Sequence, residues 1–598
     1  MQLNSSAREV FLASGASTSR LPSLLNLLAP SCSTKRGRQR LKQWLECPCI
    51  DSDVLNERLG TVEAVISAVS GDHPVLWKLS SLFQHVQSYE RGLSLFTSSG
   101  AVKADDSVDM KLSLSDFSGL EVWITELFVL VENSLADEDL VTGLGNLFST
   151  HLRPIHQLSS GSLQPFCALV QETIGGVECG EDFSPDAMEV DGEGDIKSSS
   201  SQLQELRTQI RECEMEAAVA AKQAAALLCI AEDRIKVVYA DDEQRSISSM
   251  GIVLRVSRQD SHRIQQQSGK GLSVIRASRA SGIWFSTPTT DSLGAKWKSL
   301  RRSYEDAEAN LVRFLTVEFQ AHFQGGLHEL AVRVAELDVL VSFALVSYKH
   351  KFIRATMSDV DSPSLRLRGI FDPFVQQSTG GANVTGDSEP DVAIELSAHD
   401  GKSFLLLDGH QESTQTSLLQ LLGIVVLLNQ LGCFVPCKEA VLPVFDAIFL
   451  RTGAYDQQLY GYSTFMTEMR EMSHIFSTMT HTSLVLIEDL CRGTATSEGL
   501  ALALSMCLHL METKTMTCFS SQWRELTDKL MNQPNVTTPT HGYEDSRKNS
   551  RTNRDDCNPS QNFAEFEKQM RDSDLPPDLI ALVREEIGLR SYLVEVVF

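Results

Sequence analysis

Two adjacent acids, Glu488 and Asp489, follow the apolar run Leu484–Ile487. Paired carboxylates at the end of a buried strand suit nucleotide hydrolysis, one holding Mg²⁺ and one orienting water. Upstream, the chain from Gly401 reads GKSFLLLDGHQESTQTSLLQLLGIVVLLNQLGCFVPC. The pattern predicts a buried strand over Phe404–Leu407, a loop over Asp408–Thr416 and an apolar helix over Ser417–Leu431. Strand, loop and helix in that order are the layout of a phosphate-binding loop, whose working form is GxxxxGK[ST]. Here Gly409 is followed by His-Gln-Glu-Ser, then Thr414, Gln415, Thr416 and Ser417. Gln415 stands where the lysine belongs, and Thr414 where a glycine lets the backbone turn tightly. Glu412 places an anion inside a loop meant to cradle anions. Thr416 and Ser417 still offer a hydroxyl, so Thr416 and Glu488 are the candidate Mg²⁺ ligands.

Three further blocks accompany this loop: GCFVPC from Gly432, STFMTEM from Ser463 and RGTATSEGLALA from Arg492. Four blocks in this order resemble the ATPase domain of the MutS mismatch-repair family, closest to the shared subunit of the eukaryotic MutS heterodimers. The resemblance implies an α/β plus helical fold. A helical core and lever domain carries a β-rich clamp, and a C-terminal ABC-type ATPase domain of P-loop fold follows. It implies ATP and Mg²⁺ as cofactors, which the altered loop disfavours in this chain. The family has Asp then Glu, so here Glu488 falls at the metal position and Asp489 at the water-activating one. The family histidine after the next strand is Gln522, which hydrogen-bonds but cannot carry a proton. Family ATP sites are composite, and the residues offered to the partner's site correspond here to Ser463, Thr464, Phe465, Met466 and Glu468.

These residues need elements to hold them. Residues 1–66 resemble the start of the family's core domain, with a small apolar helix at Leu24–Leu28, a turn at Gly37–Arg38, the pair Trp44–Leu45, and Glu57–Arg58. Apolar spacing predicts helices through Pro74–Thr173, with Leu120, Ile124, Phe128 and Val131 as one stripe, and again over Leu203–Glu232. Residues 180–202 are acidic and Ser/Gly-rich and read as a flexible insertion. Helical pattern returns from Lys296, breaks near Gly325–Gly326, and resumes with Leu330, Val334, Leu337 and Val341 in one stripe. The expected domains are 1–249 core and lever, 250–302 clamp, 303–350 lever helices, 351–530 ATPase, and 531–598 a largely disordered tail. Leu575–Leu589 in that tail reads as a remnant dimerisation helix.

The formal net charge is −25, so a nucleic-acid face has to be a local exception. Residues 250–302 are that exception, with ten Lys and Arg against Asp260 and Asp291. Gly251–Ser257 and Gly282–Ser286 look like strands, and Arg255, Arg258, Arg263, Lys270, Arg276 and Arg279 are the candidate phosphate contacts. The bland reading is a solvated basic surface. The cluster Lys35, Arg36, Arg38, Arg40 and Lys42 reads as a solvated helix face, a nuclear-import signal or a DNA-facing edge. Thirteen scattered cysteines read as free thiols, and Leu418–Leu428 is too short to span a bilayer.

If the resemblance begins at Met1, the family's mismatch-reading and connector domains are missing from this sequence. The resulting expectation is a nuclear mismatch-repair subunit. It grips double-stranded DNA, pairs with a second MutS-family subunit, touches no membrane, and completes the partner's ATP site while its own is impaired. The alternatives are a functional ATP-dependent mismatched-DNA-binding subunit and a meiotic-recombination MutS homologue.

Overall fold

Buried apolar runs organise the C-terminal half. Phe404–Leu407, Ala447–Arg451, Leu484–Glu488 and Met516–Ser520 have almost every residue buried, as strands covered on both faces must. In the computed structural model they form a six-stranded sheet in the order Gln2–Leu3, Ala447–Arg451, Leu484–Glu488, Met516–Ser520, Phe404–Leu407, Val536–Thr537. All its pairings are parallel. The structure describes residues 1–12, 23–71, 75–97, 112–135, 147–174, 195–239, 251–257, 260, 264, 272–278, 282–359, 362–374, 392–407, 412–451, 464–491, 494 and 496–541.

The chain divides into two compact units. One comprises Met1–Ser88, Leu130–Ile155 and Ala331–Phe598, the other Tyr89–Val129 and His156–Leu330. In the first, the N-terminal residues join the C-terminal sheet. Gln2–Leu3 pairs with Ala447–Ile448. Asn4 continues the ladder through its side chain: Nδ2 donates to Leu450 O at 2.9 Å, and Oδ1 accepts from Leu450 N at 3.1 Å. The same Oδ1 accepts from Ala7 N at 3.0 Å, at the start of helix Ser5–Leu12. Phe11 on that helix is fully buried. It lies so close to helix Glu412–Leu431 that a Cβ at Gly423 would sit 2.3 Å from Phe11 Cζ.

In the first unit, helices Thr464–Thr478 and Thr496–Glu512 pack Met469, Met472, Ile475, Ala503 and Cys507 against Phe449, Val485, Ile487 and Phe519 of the sheet. A five-stranded sheet runs Thr540–His541, Val392–Ser397, Ser364–Arg368, Glu439–Leu442, Thr356–Met357. Its central strand alternates, with Leu365 and Leu367 buried and Arg366 pairing with Glu395 at 3.0 Å. One face meets the core and the other meets water.

Gly37 and Arg38 are not in a turn. They lie in the first turns of helix Lys35–Glu46, capped by Thr34, whose Oγ1 accepts from Gly37 N. The buried Asp338 carboxylate on helix Gln324–His350 accepts from Ser33 N, Thr34 N and Thr34 Oγ1 at 2.8–2.9 Å. It presses so near that a Cβ at residue 37 would lie 2.1 Å from Asp338 Oδ2. In the basic cluster Lys35, Arg38 and Lys42 are exposed, whereas Arg40 pairs with Glu336 at 2.6 Å. Trp44 and Arg58, separate features of the sequence pattern, meet: the guanidinium lies 3.6 Å over the indole and donates to Leu431 O. A cation there complements the C-terminal end of helix Glu412–Leu431.

The second unit holds an antiparallel sheet in the order Ile235–Tyr239, Ile252–Val256, Gly282–Ser286, Ser273–Ser278. The two strands expected from sequence are present; Ile235–Tyr239 and Ser273–Ser278 were not anticipated. One sheet face, with Ile235, Leu254, Val256, Ile283 and Phe285, packs on Ala221–Leu228 of helix Asp195–Leu228. That helix includes residues 195–202, the end of the expected flexible insertion, and stops at Leu228 rather than at Glu232. Lys296, Lys298, Arg301 and Arg302 fall on helix Pro288–Glu318, so the β-rich part ends before residue 302. Phe96, Phe117, Phe166 and Phe319 stack edge-on at 5.1–5.2 Å.

Gly325–Gly326 does not break the helix. A π-helical turn at Phe319–Phe323 precedes helix Gln324–His350, which contains both glycines. Leu330, Val334, Leu337 and Val341 are all buried, as are Leu120, Ile124 and Val131. Beyond Leu526 the chain forms helix Arg524–Met531 and two further strands, so 532–541 are ordered rather than tail. Leu575–Leu589 lies outside the described residues.

Candidate nucleotide site and basic sheet face

Because the six strands are parallel, their carboxyl ends share one edge, the place where open α/β sheets bind ligands. Strand Phe404–Leu407 and helix Glu412–Leu431 bracket the expected phosphate loop. Gly409 lies outside the described residues. Glu412, Thr414, Gln415, Thr416 and Ser417 form the opening turns of the helix. The predicted helix start at Ser417 moves back to Glu412.

Glu488 ends its strand opposite Ser520. Asp489 follows in a left-handed conformation, φ 46°, which aspartate adopts more readily than most residues. Its N–H donates to Ser520 O at 2.9 Å, and its Oδ1 accepts from Gln522 N at 3.0 Å. The structure thus brings Glu488, Asp489 and Gln522 together, joined through the backbone of Gln522. Two residues on, Cys491 is also left-handed, φ 61°, and donates its N–H to Glu468 Oε1 at 2.9 Å.

Glu468 is itself a core group. It is 3% exposed and lies 3.3 Å from Arg451 Nη2, while Arg451 Nε lies 2.9 Å from Glu471 Oε2. Burial pushes the Glu468 and Glu471 carboxyls above their ordinary range, against the pull of the Arg451 charge. Arg451 closes the strand AIFLR, so this triad ties a strand end, helix Thr464–Thr478 and the loop after the paired acids into one block. The Glu468 carboxylate is thus enclosed within this block. Ser463 lies outside the described residues, and Thr464 opens the helix. Phe465 packs half-buried on the sheet core, and Met466 is half-buried. Sequence reasoning missed Arg451 and Glu471. The signal was an arginine closing an apolar strand and an acid one helical turn beyond Glu468.

The strand end and the loop differ in the donors they carry. Glu488 is a carboxylate at a strand end, as a divalent cation requires. The loop supplies no lysine, Glu412 opens the helix whose N-terminus would face phosphate, and Asp489 already accepts a backbone N–H.

In the second unit, Lys236 faces Arg255, Arg255 faces Trp284, and Trp284 faces Arg276. The row crosses all four strands on the face turned away from the helix. Arg255 lies 5.7 Å over the Trp284 ring, and Val253, Val238 and Ile275 pack around the indole. Lys236 and Arg276 are exposed. The spacing could not reveal this row, because the register and the strand carrying Lys236 are tertiary facts. Arg258, Arg263, Lys270 and Arg279 lie outside the described residues.

A family model described as MutS domain III matches residues 4–344, and one described as MutS domain V matches 405–554. The chain is 27% identical over 534 residues to the DNA mismatch repair protein msh-2 of Neurospora crassa, covering 87% of this chain and 51% of that protein. It is 27% identical over 520 residues to the DNA mismatch repair protein MSH2 of Arabidopsis thaliana, covering 84% and 50%. It is 37% identical over 203 residues to the DNA mismatch repair protein MutS of Listeria monocytogenes, covering 34% and 23%. The chain spans about half the length of the MSH2 relatives it matches.

Proposed function

Because this chain belongs to the MutS family, we propose that it is an MSH2-like DNA mismatch repair subunit that grips duplex DNA. We further propose that it works beside a second MutS-family chain with an intact ATP site. The observation that carries the DNA role is the row Lys236–Arg255–Trp284–Arg276 on the outer sheet face. Three cations in line, stiffened by an indole, suit a phosphate backbone, and they carry no sequence preference. The DNA-repair names of the eukaryotic relatives support the nucleus as its compartment. Among the described residues no helix is long and apolar enough to cross a membrane.

Charge reversal tests the DNA role. Lys236→Glu, Arg255→Glu and Arg276→Glu together should weaken binding of matched and mismatched duplex about equally and flatten the salt dependence by roughly three phosphate contacts. Unchanged affinity in that variant would move the DNA contact elsewhere.

The impaired phosphate loop beside a retained STFM block supports action in trans. Glu468 serves the buried triad, so the partner-facing group narrows to Ser463 and its neighbours at the start of helix Thr464–Thr478, a place that favours anions. Ser463→Ala should lower ATP turnover of the mixed pair by about tenfold, roughly 1.4 kcal/mol, with the dimer intact. Normal turnover would reduce this segment to scaffold.

A further inference from the structure

Helix Asp195–Leu228 carries two apolar stripes, and only one is covered. Ile210, Cys213, Ala217, Ala220 and Ala224 are buried. On another side Met215 and Val219, one helical turn apart, are 63% and 54% exposed. They open onto a groove of about 630 Å³ between this helix and the start of helix Pro288–Glu318, where Ser292 and Leu293 form the far wall. Glu212 and Glu216 complete the groove.

We propose that this groove docks a basic amphipathic helix of a partner protein. Such a helix lays apolar side chains at i and i+4 into a groove and sets flanking charges on its rim. Met215 and Val219 supply the apolar floor, and Leu293 the apolar part of the far wall. Glu212 and Glu216 are like charges at i, i+4, an arrangement that disfavours a helix standing alone and that an incoming cation relieves. Among the described residues no Lys or Arg lines the groove. Of the neighbouring charges, Lys222 faces Glu232 at 3.8 Å and Glu214 accepts from Trp297 Nε1 at 3.1 Å, while Lys296, one turn beyond Ser292, is exposed. Asp291, exposed in the first turn of the second helix, adds negative charge nearby. Duplex DNA is repelled by the same carboxylates. The chain's own stretch Leu575–Leu589 carries Asp578, Glu585 and Glu586 against Arg584, so its charge has the wrong sign.

The test uses the full chain and two labelled designed peptides followed by fluorescence anisotropy. Both carry leucines at i and i+4; one is flanked by lysines, the other by glutamates. The lysine peptide should bind saturably and the glutamate peptide should not. Met215→Ser with Val219→Ser should weaken binding by about tenfold or more. Glu212→Gln with Glu216→Gln should weaken it less and flatten its salt dependence. All four side chains are exposed, and circular dichroism checks that the variants fold. Absent binding of the lysine peptide, equal binding of the two peptides, or binding indifferent to Met215 and Val219 overturns the proposal. Sedimentation covers the remaining occupant: a self-dimer abolished by Met215→Ser with Val219→Ser would make the groove a contact between copies and overturn it too.

Discussion

The isolated chain should bind ATP about a thousandfold more weakly than a variant with its phosphate loop restored. A lysine–phosphate pair at contact distance is worth about 4 kcal/mol at an effective dielectric near 20. Gln415 forfeits that term, and Glu412, at the first residue of the helix, adds repulsion where the helix end would favour an anion. Together the loss is roughly 5 kcal/mol, more than three decades of affinity at about 1.4 kcal/mol per decade. Thr414 in the glycine position adds steric resistance. Equilibrium binding of labelled ATP with Mg²⁺ measures this, and Gln415→Lys with Glu412→Ala and Thr414→Gly should recover most of it. Low-micromolar binding by the unaltered chain would sink the idea. Recovered binding without turnover is the expected behaviour of the restored loop, since Asp489 accepts the Gln522 N–H and Gln522 cannot relay a proton.

Replacing Arg451 by methionine should destabilise the first unit by about 3–5 kcal/mol, the usual consequence of breaking a buried ion pair from one side. Arg451 and Glu468 are each 3% exposed, and Ser6 Oγ donates to Glu471 Oε1 at 3.3 Å. Without the guanidinium, the enclosed Glu468 carboxylate faces the partly exposed Glu471 carboxylate, and both carboxyls already sit high through burial. Their folded pKa values then rise further above the unfolded ones, so the folded state binds more protons, and the variant regains stability as pH falls. The penalty should be smaller near pH 5 than near pH 8. Arg451→Met with Glu468→Gln and Glu471→Gln removes all three charges, keeps an acceptor for the Cys491 N–H, and should recover most of the loss. Urea unfolding and hydrogen exchange across Leu484–Glu488 read both effects. A penalty under about 1 kcal/mol, or one indifferent to pH, would mean that the triad is not holding this block.

What was legible in the sequence was whatever local pattern dictates. Continuous apolar runs announced Phe404–Leu407 and Leu484–Ile487 as buried strands, because a strand covered on both faces tolerates few polar residues. Stripes such as Leu330, Val334, Leu337 and Val341 announced a buried helix face. The absent loop lysine, the acids ending a strand and the basic stretch near Arg255 and Arg276 are facts of residue type, and so were plain at once. Pairing across long separations was not. Gln2–Leu3 joins Ala447–Ile448, a contact that two residues cannot signal by periodicity. Glu468 read as a group for a partner's site, and the fold enclosed it with Arg451 because both ride on elements that meet only when the sheet assembles. Lys236, Arg255, Trp284 and Arg276 became one row only when strand register was set, since a slip of one residue turns every side chain to the opposite face. Composition and period therefore determined the elements and the chemistry they carry. Tertiary packing alone decided which charges were buried as partners and which were left facing outward, because the environment of a charge depends on neighbours distant in sequence.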